Sequence, residues 1–158
     1  MRISVITVSD RAFRGEYPDR SGPAVEEELR KALPGCKVEC ETVPDEAEAI
    51  RAALEKSEGS DWVLTTGGTG PSPRDRTPET CRDFCDRELP GIAEYLRARS
   101  LEESPNAVFS RLFAGMRGRT YVVNFPGSER AARFCSALLA PLMEHGAAMA
   151  RGEGHGPQ

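Results

Sequence analysis

No apolar run in this sequence approaches the roughly 20 residues that a membrane-spanning helix requires, so no membrane partner is expected. Basic residues are outnumbered, with 21 Lys and Arg against 25 Asp and Glu. The resulting net charge of −4 argues against nucleic acid, whose nonspecific binding needs a basic face. Met1-Arg2 runs straight into the strand pattern Ile3–Val8 without the apolar stretch of a signal peptide, which predicts a cytoplasmic protein. The cysteines are Cys36-x3-Cys40, Cys81-x3-Cys85 and a lone Cys135, with no C-x2-C pair of the zinc-binding kind. Cys36 and Cys40 share a strand face and Cys81 and Cys85 a helix face, so core packing is their expected use. His145 and His155 lie apart from any acidic cluster and do not read as ligands. Two familiar phosphate loops are missing too. No lysine follows a glycine run as in G-x-x-x-x-G-K-[ST], and G-x-G-x-x-G does not occur.

A different glycine loop is present. The apolar segment from Asp61 to Thr66 leads into Gly67-Gly68-Thr69-Gly70, then Arg74-Asp75 and the helix start Thr77-Pro78-Glu79. Glycines allow a sharp turn and bring backbone N–H groups close to a ligand. Thr66 and Thr69 add hydroxyl donors suited to phosphate oxygens. A plain structural turn explains the glycines alone, but not the threonines before them or the Arg-Asp pair after them.

Strand and helix patterns alternate along the chain. Strands are expected at Ile3–Val8, Cys36–Val43, Asp61–Thr66 and Arg119–Phe125. Helices are expected from Ser21 to about Leu33, from Asp45, from Thr77 to the Pro90-Gly91 break, over Ile92–Leu101 and over Glu129–Ala150. Ser9 to Gly22 reads as a loop, Ala107 to Met116 is ambiguous, and Arg151 to Gln158 reads as a disordered tail. This order predicts one α/β domain over residues 1–150, a three-layer α/β/α sandwich with a largely parallel open sheet.

In a parallel sheet, loops that follow strands gather at one edge. Those loops are Ser9-Asp10-Arg11, Pro44-Asp45-Glu46, the glycine loop, and Asn124-Phe125-Pro126-Gly127-Ser128. Asp45 and Asp75 form the candidate catalytic pair. Carboxylates beside an anion site repel the ligand unless a cation lies between, so the pair suggests Mg²⁺ bridging protein and phosphates. The alternative is structural: Asp45 as a helix cap, Asp75 paired with Arg74 or ordering its turn. Ser110-Arg111 offers a hydroxyl and a guanidinium, and Gly127-Ser128 before a helix forms a further anion site. Surface solvation of Arg111 and an ordinary capped turn at Ser128 are the corresponding bland explanations.

Together these residues resemble the molybdopterin adenylyltransferase family of molybdenum cofactor biosynthesis, to about Ala150. The resemblance rests on Val8-Ser9-Asp10-Arg11-Ala12 followed by Gly15, Tyr17, Asp19 and Ser21-Gly22, then Val43-Pro44-Asp45, Thr65 to Gly70, Arg74-Asp75 with Thr77-Pro78-Glu79, Ser110-Arg111 and Asn124 to Ser128. The Ser-Asp-Arg-Ala segment resembles the MogA branch more than the MoaB branch, and gephyrin and plant Cnx G-domains are similar. The resemblance implies transfer of AMP from Mg-ATP to the terminal phosphate of molybdopterin, with release of pyrophosphate. It implies catalytic and Mg²⁺-binding roles for Asp45 and Asp75. It also implies substrate and nucleotide contacts from Thr66, Gly67, Gly68, Thr69, Gly70, Ser110, Arg111, Gly127 and Ser128. A homotrimer and hand-over of product to a molybdenum insertase are implied as well. The alternative is a non-catalytic pterin or nucleotide carrier, or a scaffold domain. Two positions depart from the family pattern: Glu129-Arg130 stands where Pro-Lys is frequent, and Arg76 where a small apolar residue is usual.

Overall fold

A computed structural model of the protein describes residues 1–153. Its elements are β1 (Arg2–Val8), α1 (Asp10–Phe13), α2 (Ser21–Ala32), β2 (Lys37–Val43), α3 (Ala47–Lys56), β3 (Trp62–Thr66), α4 (Thr77–Phe84), β4 (Arg87–Glu88), α5 (Pro90–Glu103), a 3₁₀ turn (Pro105–Phe109), β5 (Ala114–Arg117), β6 (Thr120–Phe125) and α6 (Glu129–Ala150). The strands form one sheet in the order β2-β1-β3-β6-β5-β4. β2, β1, β3 and β6 are mutually parallel, and β5 is antiparallel to both of its neighbours. The expected three-layer α/β/α architecture is therefore present, with an antiparallel edge.

Strand alternation builds two cores. Ile3 and Val5, Trp62 and Leu64, and Tyr121, Val123 and Phe125 face one side, against residues of α2, α5 and α6. Ile6, Val8, Val63 and Val122 face the other, against α3 and α4. A sheet covered on both faces needs near-continuous apolar strands, and all of β3 and β6 is buried. Trp62 stacks on Tyr121 with ring centroids 4.1 Å apart. The indole N–H donates to Met143 O at 3.1 Å and the Tyr121 hydroxyl to Gly146 O at 2.8 Å. A Cβ at Gly146 would lie 2.8 Å from the Trp62 ring, so glycine lets α6 close onto this pair.

Several expectations change. The Ser9–Gly22 loop contains the short α1, capped by Ser9 Oγ. Helix α3 starts at Ala47 after Glu46, so Asp45 lies outside it. Thr77 is the first helical residue of α4, not its cap, and its buried hydroxyl has no partner. That helix ends at Phe84, and Pro90 opens α5 where a break was expected. Between them β4 pairs with β5, with flanking bonds from Asp86 N to Met116 O and Leu89 N to Ala114 O. A two-residue strand is too short to show alternation, so only its partner reveals it. Arg151–Glu153 form a turn closed on the α6 carbonyls; the rest of the tail expected over 151–158 lies outside the described residues. Cys81 and Cys135 are buried as expected, whereas Cys40 is exposed beside Glu26 at the edge strand. Burial pushes the Cys81 thiol up to about 12 and that of Cys135 to about 11, which leaves both protonated and inert.

Candidate active site

The chain runs from β1 outward to β2, then returns to β3 on the other side of β1. Between β1 and β3 the connections diverge, and such a switch point opens a crevice at the carboxyl ends of the strands. The loops that follow β1, β3 and β6 meet there in close contact. Gly67 has φ +96° and Gly68 φ +63°, a region that suits glycine. A Cβ on Gly67 would stand 2.3 Å from Val8 O, and one on Gly127 3.0 Å from Gly67 Cα. Gly67 N also donates to Phe125 O at 3.1 Å, tying the loop to β6.

Two cavities flank the glycine loop. The first, about 400 Å³, is polar and is lined by residues including Ser9, Asp10, Asp45, Thr66, Gly67 and Gly127. At its floor the Asp19 carboxylate accepts from Thr7 Oγ1 (2.7 Å), Ser21 N (3.0 Å) and Gly22 N (3.2 Å). The Ser21 and Thr66 hydroxyls are 2.5 Å apart. Asp45 Oδ2 accepts from Asp10 N at 2.8 Å, and Asp10 Oδ1 accepts from Asp45 N at 3.0 Å. This reciprocal pair joins the loops after β1 and β2. Arg74 reaches across from the glycine loop to pair with Asp10 Oδ2. The bond from the Asp45 N–H holds the Asp10 carboxyl below its ordinary value; burial opposes this, and Arg74 adds to it.

The second cavity, about 560 Å³, has mostly apolar walls and is lined by residues including Thr69, Gly70, Phe109, Ser110, Ser128 and Phe134. Ser110 Oγ is buried there without a hydrogen-bond partner. Ser128 Oγ caps α6 by accepting from Ala131 N at 3.3 Å. Arg130 of the Glu-Arg departure sits at this rim, paired with Glu103 at 2.7 Å.

Asp75 and Arg111 line neither cavity. Asp75 Oδ2 turns back to accept from Ser72 N at 3.1 Å, so the carboxylate orders its own turn in this conformation. Arg111 grips the loop through several of its donors. Arg74 pairs with Asp10 and not with Asp75. The structure thus places Asp45, Thr66, Gly67, Gly68 and Gly127 in one cavity and Thr69, Gly70, Ser110 and Ser128 in the other. Asp10 and Asp19 also line the polar cavity. Both stand in segments that carry the family resemblance, but neither is among the candidate site residues read from the sequence.

Among the described residues, no group of three or more His, Cys, Asp and Glu is placed to hold a metal ion. Carboxylates suit Mg²⁺, which is usually held by one or two of them together with substrate phosphates and water. Asp45, with Oδ1 facing the glycine loop 3.5 Å from where a Gly68 Cβ would stand, has the right chemistry for that share.

Burial works against ionisation of Glu79, but the bond from Arg111 and neighbouring charges outweigh it and hold the carboxyl below its ordinary 4.5. A depressed carboxyl contributes stability that is complete above its unfolded value and is lost as pH falls through its folded value. The stability of the protein should therefore fall below pH 4.5, and Glu79→Gln should show a shallower fall in urea midpoint there. Equal slopes for the two proteins would show that the Glu79 pair contributes nothing.

An open, mostly parallel α/β sheet with a glycine loop at the carboxyl ends of its strands and a ligand-sized cavity on either side of that loop is the architecture of a protein suited to nucleotide or phosphate ligands. Residues 4–145 match the family described as "Probable molybdopterin binding domain", and the chain belongs to that family. It is 38% identical over 149 residues to the molybdopterin adenylyltransferase of Helicobacter pylori strain J99, covering 92% of this chain and 85% of that protein. The crystal structure of the molybdopterin biosynthesis enzyme MoaB from Thermus thermophilus superposes with a TM-score of 0.83 at 42% identity, covering 96% of each chain. A structure of MogA gives 0.88 at 33% identity, covering 95% of this chain and 99% of that one. Of these two, MoaB has the higher identity and MogA the higher structural score, so the MogA-like Ser-Asp-Arg-Ala segment is not matched by a preference across the whole chain.

Proposed function

We propose that this protein is a molybdopterin adenylyltransferase, which transfers AMP from Mg-ATP to the terminal phosphate of molybdopterin and releases pyrophosphate. The observation that carries the assignment of ligands is the pair of unlike cavities on either side of one glycine loop. The polar cavity, with its carboxylates and hydroxyls, suits the nucleotide phosphates. The apolar cavity, walled by Phe109 and Phe134 and holding the orphan Ser110 hydroxyl, suits a flat heterocycle with polar edges. The loop between them lies where the two phosphate groups must meet.

An oxygen of the pterin phosphate attacks the α-phosphorus of ATP. A new P–O bond forms, the bond to the β-phosphate bridging oxygen breaks, and pyrophosphate leaves with that electron pair. Gly67 N–H is held by Phe125 O, so the backbone N–H groups of Gly68 to Gly70 are the ones left to orient the attacking phosphate for in-line transfer. Asp45 and Asp75 are the residues that would hold Mg²⁺. When bound, Mg²⁺ supplies charge neutralisation for the two anions that must approach each other. Asp10 holds Asp45 in place through the reciprocal pair. No covalent enzyme intermediate is needed.

The same reading includes one domain over residues 1–150, a homotrimer, cytoplasmic location and delivery of the product to a molybdenum insertase. No helix among the described residues is long and apolar enough to cross a membrane. The test is incubation with molybdopterin and Mg-ATP while pyrophosphate and the AMP-bearing pterin are followed. Product that requires both magnesium and pterin supports the transferase. Tight pterin binding without product would favour the carrier alternative.

A further inference from the structure

We infer that Arg111 is a positioning residue that sets the shape of the loop carrying Asp75, and that within the pair Ser110-Arg111 only the serine faces ligand. The inference deepens the transferase reading and rests on it for its kinetic consequence, not for its structural one. The backbone N–H of Arg111 donates to Thr69 O at 2.9 Å. Its Nε donates to Gly70 O at 2.8 Å and its Nη2 to Asp75 O at 2.5 Å. Its Nη1 pairs with Glu79 Oε1 on α4.

One residue thus ties down both ends of the turn between Gly70 and Asp75 and fastens it to the helix that follows. Each of its three guanidinium nitrogens is engaged by protein, and its charge is met by Glu79. The neighbouring Ser110 hydroxyl, by contrast, is buried without a partner and lines the apolar cavity. Adjacent residues on an extended segment point to opposite sides, which accounts for the division.

A planar fork matches three separated acceptors, whereas a lysine ammonium is a single point charge on a flexible stem. A residue needed for its charge tolerates Lys; a residue needed for its fork does not. We therefore expect Arg111→Lys and Arg111→Gln to behave alike. In hydrogen exchange of the unliganded protein, the Ser72, Asp75 and Thr77 amides should exchange at least about tenfold faster in both variants, with the sheet amides unchanged. In the AMP-transfer assay kcat should fall by about 100-fold in both, with KM for either substrate changing less than about threefold. Glu79→Gln, which keeps an acceptor but loses the charge, should show the same pattern more weakly.

The inference is overturned if Arg111→Lys retains wild-type kcat while Arg111→Gln does not. It is equally overturned if loop exchange stays at the wild-type rate while KM rises, the signature of a direct anion ligand. The exchange arm needs no catalysis, so a wild-type protein without AMP transfer would sink the transferase reading and leave the loop assignment to be decided on its own.

Discussion

Asp45→Asn is expected to reduce AMP transfer by about 1,000-fold or more while the protein remains folded and still binds molybdopterin. The substitution is nearly isosteric, and the amide oxygen can still accept from Asp10 N, where Asp45 Oδ2 accepts at 2.8 Å now. What disappears is the negative charge facing the glycine loop. Asp75→Asn should behave likewise, since an amide oxygen can still order the turn through Ser72 N. Both variants should keep the wild-type urea midpoint, because neither removes a hydrogen bond or buried apolar surface. Single-turnover measurement separates chemistry from binding here. Wild-type turnover in either variant would remove that aspartate from the reaction. An equal loss of pterin binding and turnover would instead make it a structural residue.

The second large effect is expected at Gly67. Alanine there would place a Cβ 2.3 Å from the backbone oxygen of Val8, at a φ of +96° that side chains rarely adopt. Neither the strain nor the overlap can relax by rotation of a side chain, since the atom in the way belongs to β1. Strain and overpacking together should cost roughly 2–4 kcal/mol. In a domain of this size that is a fall in Tm of roughly 10 °C. Ligand binding should be lost as well, because the loops after β1, β3 and β6 can no longer close together. Gly35→Ala is the control. Gly35 has a similar φ of +85° but nothing within 4 Å of its added Cβ, so only the backbone strain of about 1–2 kcal/mol applies. Equal losses at Gly35 and Gly67 would show that close packing at the switch point contributes nothing.

Features that depend on local periodicity and backbone chemistry can be read from the chain without its fold. The short apolar-rich runs of Ile3–Val8 and Tyr121–Phe125 and the length of α6 from Glu129 to Ala150 were legible, whereas Pro90-Gly91 was misread because proline opens a helix as readily as it ends one. The glycine loop was legible, because its conformation is set by residues lacking a Cβ. How residues far apart in the chain are partnered emerges only once the sheet has assembled. Asp10 and Asp45 bond each other across 35 residues, a relation that no spacing encodes. Arg111 reaches the Asp75 carbonyl across 36 residues, and without that contact the sequence offers it only as a ligand contact or a solvated surface arginine. The two-residue β4 exists only because β5 lies alongside it. Such pairings follow from the sheet order, which brings separate loops to one edge, and an individual side chain's direction follows from which loop it meets there.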